Sequence, residues 1–147
     1  MSTIRDVLAD KGSVVYTVDA AASVLDAVAG MCKLCVGALL AVDDERRTPG
    51  ILSERDVIVR VVLPHRDPAT THVADVMTRE LVSVEPDTPV PTAMALMTEH
   101  RSRHLVVLED QAIVGLVSIG DLLRWAHHEQ EEEVRLLREY VSSACYA

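Results

Sequence analysis

The sequence predicts an α+β fold built twice over. Each subdomain is a β-α-β-β-α unit with a short helix in front, and the two pack sheet to sheet about a pseudo-twofold axis. Three observations carry this. The stretch Gly50-Ile51-Leu52-Ser53-Glu54-Arg55-Asp56 returns as Gly115-Leu116-Val117-Ser118-Ile119-Gly120-Asp121, both of the form G-Φ-Φ-S-x-x-D with Φ apolar. Val24, Val28 and Met31 are matched by Val90, Met94 and Met97 at an offset of 66 residues (90 − 24), and residues 104–108 match Ala38–Val42 at the same offset. Finally, apolar runs of strand length alternate with segments of helical periodicity, and neither half alone encloses enough apolar surface to stand by itself.

Taken in order, residues 3–10 place Ile4, Val7 and Leu8 on one side of a short helix. Residues 14–18 are strand-like, and residues 21–34 carry Val24, Val28 and Met31 at helical spacing. Residues 37–42 read as a buried strand, 43–49 as a polar hairpin connection, and Ile51 and Leu52 as a second short strand. Residues 57–63 form a very apolar helix ended by Pro64, and residues 65–71 a Pro/Thr-rich linker. The pattern then repeats. Residues 73–77 mirror the first helix and residues 81–84 the first strand. Thr88 and Pro89 make a helix start, Thr as cap and Pro as first helical residue. The domain division expected is 1–66 for the first subdomain, 67–128 for the second, and 129–147 for a helical extension that continues the last helix. Along that extension Val134, Leu137 and Val141 form a stripe the repeat does not need, suited to packing on its own domain or on a second subunit.

The 147 residues are 49% apolar and 25% charged, the composition of a packed globular chain. A net charge of −9 argues against a nucleic-acid footprint or an anionic membrane partner. No apolar run reaches the roughly 20 residues of a membrane span, and the N-terminus lacks signal-peptide character. Three cysteines, an odd count, suit a reducing compartment. A cytoplasmic location is the expectation.

Ser and Asp three residues apart, where a strand ends and a helix begins, place a hydroxyl and a carboxylate beside free N–H groups. Such a site suits a sugar diol and a phosphate. Taken singly, the same pattern is most often a helix cap. Cys32-x-x-Cys35 falls at a helix end without the further ligands zinc needs, which favours ordinary thiols, with a thiol-redox regulator as the rival reading. His127 and His128 sit among glutamates on an exposed helix. No phosphate loop, dinucleotide fingerprint or nucleophile elbow occurs, so neither catalytic nor metal residues are assigned.

The motifs D-V-M-T, V-S-V-x-P-D-T-x-V, R-H-L-V-V, V-G-L-V-S-I-G-D-L-L, G-A-L-L-x-V-D-D and G-I-L-S-E-R-D resemble the cystathionine β-synthase (CBS) domain. The tandem pair is similar to a Bateman module of the small stand-alone bacterial type, from the first helix to about Arg124. The resemblance implies a regulatory module, not an enzyme, that binds AMP, ADP or ATP, with NAD or S-adenosylmethionine as further ligands, in two clefts between the halves. It also implies a homodimer and a regulated protein partner. Carried over by position, Asp56 holds the ribose in one cleft and Ser53 lines its sugar and phosphate side, with Ser83 and the backbone at His104 and Leu105 toward the base. In the other, Ser118 and Asp121 take the sugar, with Thr17, Ala38 and Leu39 around the base. Arg55 and Arg103 are the cations expected at the phosphate of the Asp56 cleft. At Asp121 the matching residue, Gly120, offers only backbone, so the stronger phosphate grip is expected at Asp56. The alternative is an assembly module whose clefts are vestigial. AMP has about 23 heavy atoms, and at ~0.3 kcal/mol each an affinity of roughly ten micromolar is the scale to expect.

Overall fold

The computed structural model describes residues 1–145, with side chains to residue 143. The fold is mixed α+β with two three-stranded sheets, and the chain divides into two compact units. One unit spans Val14–Val82; the other joins Met1–Ser13 to the chain from Ser83 onward.

In the first unit β1 (Thr17–Asp19) runs parallel to β2 (Ala38–Val42), with α2 (Val24–Leu34) as the crossover, and β3 (Gly50–Ser53) pairs antiparallel to β2. Ser23 caps α2 by accepting from Asp26 N–H at 3.1 Å. The helix ends where Cys35 turns left-handed at φ 54°. α3 (Glu54–Val57) leaves β3 and widens into a π-helical turn, Ile58–Val62, before α4 (Val73–Val76). Val24, Ala27, Met31, Leu39, Leu52, Val61, Val73 and Val76 form its core.

The second unit repeats the plan. β4 (Ser83–Val84) is parallel to β5 (His104–Glu109), with α5 (Val90–His100) crossing between them, and β6 (Ala112–Ser118) is antiparallel to β5. α1 (Ile4–Lys11) packs here, and α6 (Ile119–Cys145) is one continuous helix of 27 residues. This helix runs through residue 128 without a break.

The compact units divide the chain differently from the sequence repeat, because the short leading helices are exchanged. α1 precedes the first repeat yet docks on the sheet of the second. Its Ile4 N–H donates to Thr88 O at 2.9 Å, Arg5 N–H to Pro86 O at 2.8 Å, and Leu8 lies against Gly115. α4 precedes the second repeat yet docks on the sheet of the first, where Val73 N–H reaches Ala22 O and Met77 lies against Gly50. A helix this short must bury its apolar residues on a neighbour to persist, and the linkers after residues 12 and 78 carry the chain on to the next unit.

Two boundaries move. β1 is three residues rather than the run from Val14, whose side chain is exposed. α5 is capped by Pro89 and starts at Val90, one residue later than Thr88 and Pro89 suggested. The cause is tertiary: the Thr88 carbonyl is taken by Ile4 N–H, and Pro89, extended at ψ 143°, bridges to Thr3.

Candidate functional site

Each sheet ends in the same construction. In the first unit Ser53 closes β3 and opens α3, so its hydroxyl accepts from Asp56 N–H at 3.3 Å. Asp56 Oδ2 in return accepts from Ser53 N–H at 2.9 Å and from the Ser53 hydroxyl at 3.0 Å. In the second unit Ser118 closes β6. Its hydroxyl accepts from Asp121 N–H at 3.1 Å, and Asp121 Oδ2 accepts from Ser118 N–H at 2.8 Å. Both are reciprocal capping boxes. The helix-cap reading of Ser-x-x-Asp is thus true of the local geometry in both copies. Yet both carboxylates are nearly enclosed, Asp56 at 7% exposure and Asp121 at 9%, where an exposed cap would suffice for a surface helix. A buried carboxylate persists only with donors around it, and here the two differ.

Thr78, just past α4, donates its hydroxyl to Asp56 Oδ1 at 2.8 Å, and the nearest cation, Arg60 Nε, stands 4.0 Å off. Arg60 Nη1 donates to the carbonyls of both Val76 and Met77, at 3.1 and 3.0 Å. At Asp121 the donors are charged. Lys11 Nζ, at the end of α1, lies 2.6 Å from Oδ2 and also donates to Leu116 O at 2.8 Å; Arg124 reaches Oδ1 at 2.7 Å. Burial pushes the Asp121 carboxyl up, but the Lys11 ammonium and the Ser118 donors outweigh it and hold the carboxyl below the ordinary carboxylate range.

Register fixes the neighbours. Ala38 faces Ser53 across β2 and β3, Leu39 faces Leu52, and Thr17 pairs with Leu40, so these residues share one end of the first sheet. His104 faces Ser118, Leu105 faces Val117, and Ser83 pairs with Val106 at the corresponding end of the second. Thr17, Ser83, Arg55 and Arg103 are exposed and His104 is half-buried, whereas the Leu39 and Leu105 side chains are buried and leave only backbone to a ligand. The sequence contributed no cation beside Asp121, and the structure supplies two. Arg124 was legible at helical spacing from Asp121. Lys11, 110 residues away, was not. Thr78 stood within D-V-M-T with no role attached.

Among the described residues no group of three or more His, Cys, Asp and Glu is placed to hold a metal ion. Cys32 and Cys35 are free thiols on the surface, and Cys35 Sγ approaches only the Cys32 carbonyl, at 3.8 Å. The Cys145 side chain lies outside the described residues.

The model of the CBS domain matches residues 73–128. Over 95% of this chain and 72% of its own length, the mitochondrial CBS domain-containing protein CBSX3 of Arabidopsis thaliana is 39% identical. The chain belongs to the CBS-domain family. The CBS domain-containing protein YhcV of Bacillus subtilis is 33% identical, over 83% of this chain and 84% of its own. A solved CBS-domain structure from Burkholderia ambifaria matches with a TM-score of 0.83 and 41% identity, covering 88% of this chain and 96% of that one. CBS-domain proteins of this stand-alone kind are regulatory modules that generally bind nucleotides. In this CBS pair the described helices include none long and apolar enough to cross a membrane.

Proposed function

We propose that this CBS pair senses adenine nucleotides, AMP, ADP or ATP, and transmits their binding to a protein partner through a homodimer. The observation that carries the reading is the twin Ser–Asp pair, at one register position of two sheets, with each carboxylate buried and aligned by its own backbone. In this reading Asp56 and Asp121 accept the ribose hydroxyls, and Ser53 and Ser118 line the sugar and phosphate side. Thr17, Ala38, Leu39, Ser83, His104 and Leu105 surround the bases, and Arg55 and Arg103 meet phosphate. Lys11 and Arg124 stand 2.6 and 2.7 Å from the Asp121 carboxylate, whereas Arg60 stands 4.0 Å from that of Asp56.

Isothermal titration with AMP and ATP tests this. Affinity near ten micromolar is expected, and about 100 µM AMP should then stabilise the fold by roughly 1.4 kcal/mol, a rise in Tm of about 3–6 °C. Absence of heat and of any Tm shift with either nucleotide would leave an assembly module without a ligand.

A further inference from the structure

We propose that Lys11 closes the Asp121 site, so that the chain takes one nucleotide, at Asp56, and gains a second only when Lys11 is withdrawn. This rests on the nucleotide reading above. It starts from an inequality between two sites whose sequences match.

The two leading helices occupy equivalent places, Met77 of one against Gly50 and Leu8 of the other against Gly115. The chain at the C-terminal end of each then supplies the carboxylate's extra donor. After α4 that donor is the hydroxyl of Thr78, and at the end of α1 it is the ammonium of Lys11. At Asp56 all three donors are neutral, so sugar hydroxyls replace or join groups of their own kind. At Asp121 they must compete with an ammonium 2.6 Å away. A charge-assisted hydrogen bond is roughly twice as strong as a neutral one, and separating a part-buried ion pair adds the cost of leaving a charge without its partner.

Arg124 is not the obstacle, because its side chain is 76% exposed and swings into water freely. Lys11 has no such freedom. It is 31% exposed and anchored a second time on Leu116 O. It also sits in a helix clamped by Arg5 to Asp87 and Glu109 and by Leu8 on Gly115. Its ammonium therefore stands as a resident ligand of Asp121.

The experiment is AMP titration by calorimetry and native mass spectrometry on the full chain and four variants. The wild type should bind one AMP per chain, and Asp56→Asn should weaken that binding at least about ten-fold, a larger loss than Asp121→Asn causes. Lys11→Met, which keeps the stem and removes the charge, should bind two, and Lys11→Met with Asp121→Asn should return to one. Two AMP per wild-type chain overturns the latch while the nucleotide reading stands. So does a single site lost in Asp121→Asn and kept in Asp56→Asn, and this needs no Lys11 variant to fold. No AMP bound by any of the five proteins overturns the nucleotide reading and the latch with it.

Discussion

Asp121 and Trp125 sit within four residues of each other, and opposite rules apply to them. Asp121 is buried with its donors, and the Lys11 and Ser118 contacts hold its carboxyl below the ordinary value of 3.8. A depressed carboxyl contributes stability in full above its unfolded value and loses it as pH falls through and below that value. Unfolding free energy of the wild type should therefore drop more steeply below about pH 4 than that of Asp121→Asn. The variant should also be weaker at neutral pH by about 1–3 kcal/mol, since Lys11 then loses its counter-charge. Parallel acid-melting curves for the two proteins would refute this. Trp125 is the converse case. Its Nε1–H is buried with no acceptor, and an unmet buried donor costs about 1–3 kcal/mol. Trp125→Phe gives up part of the ring but also that donor, so Tm should stay level or rise in a thermal melt; a fall beyond about 5 °C, more than 1 kcal/mol on a chain this size, argues against it. Both carboxylates were visible in the sequence because a cap is a local pattern. Their third donors were not, because Thr78 and Lys11 arrive through tertiary packing at separations of 22 and 110 residues.

At the scale of elements, strands and crossover helices were legible because each carries its own periodicity. The destination of α1 and α4 was not. Each shows an apolar face of only three residues, and either sheet would satisfy it equally in the sequence. The glycines record the outcome. A Cβ on Gly50 would lie 2.6 Å from the Thr78 carbonyl oxygen, which is tied to Ile51 N–H, whereas one on Gly115 would meet the methyl ends of Leu8 at 2.7 Å. Backbone held in a bridge yields less than a leucine rotamer. Gly50→Ala should thus cost about 2–3 kcal/mol and Gly115→Ala about 1 kcal/mol, ranked by urea midpoints. A larger loss at Gly115 would mean that α1, not the segment after α4, is the more rigidly seated. Gly50→Ala should also weaken AMP binding, because the carbonyl it displaces belongs to the residue whose hydroxyl holds Asp56.

For the molecule as a whole, α6 poses the remaining question. Residues 127–143 are exposed throughout, although Val134, Leu137 and Val141 repeat with an a/d spacing of three and four. Most helical stability in proteins comes from packing an amphipathic face rather than from propensity, so its apolar seam calls for a cover. Charge argues that the cover is a second copy. Arg135 is already engaged by Glu132 and Glu139. Glu133 and Arg138, the two charges that border the seam, make no ion pair among the described residues. In a parallel two-stranded pairing a residue before one a position faces the residue five further on in the other helix. Glu133 of each copy then meets Arg138 of the second, twice by symmetry. Exposed pairs contribute about 0.2–1 kcal/mol each, and reversing one sign replaces two attractions by two repulsions. Arg138→Glu should therefore weaken the dimer by about 0.8–4 kcal/mol, raising its dissociation constant at least roughly 4-fold by the tenfold per 1.4 kcal/mol rule. Glu133→Arg with Arg138→Glu should restore it, and Leu137→Glu should give monomers, all read by sedimentation equilibrium. A wild type that is monomeric at about 100 µM, a concentration at which even a weak pairing of about 6 kcal/mol would be populated, refutes the pairing. So does a dimer indifferent to Arg138→Glu, because the contact would then lie on another face.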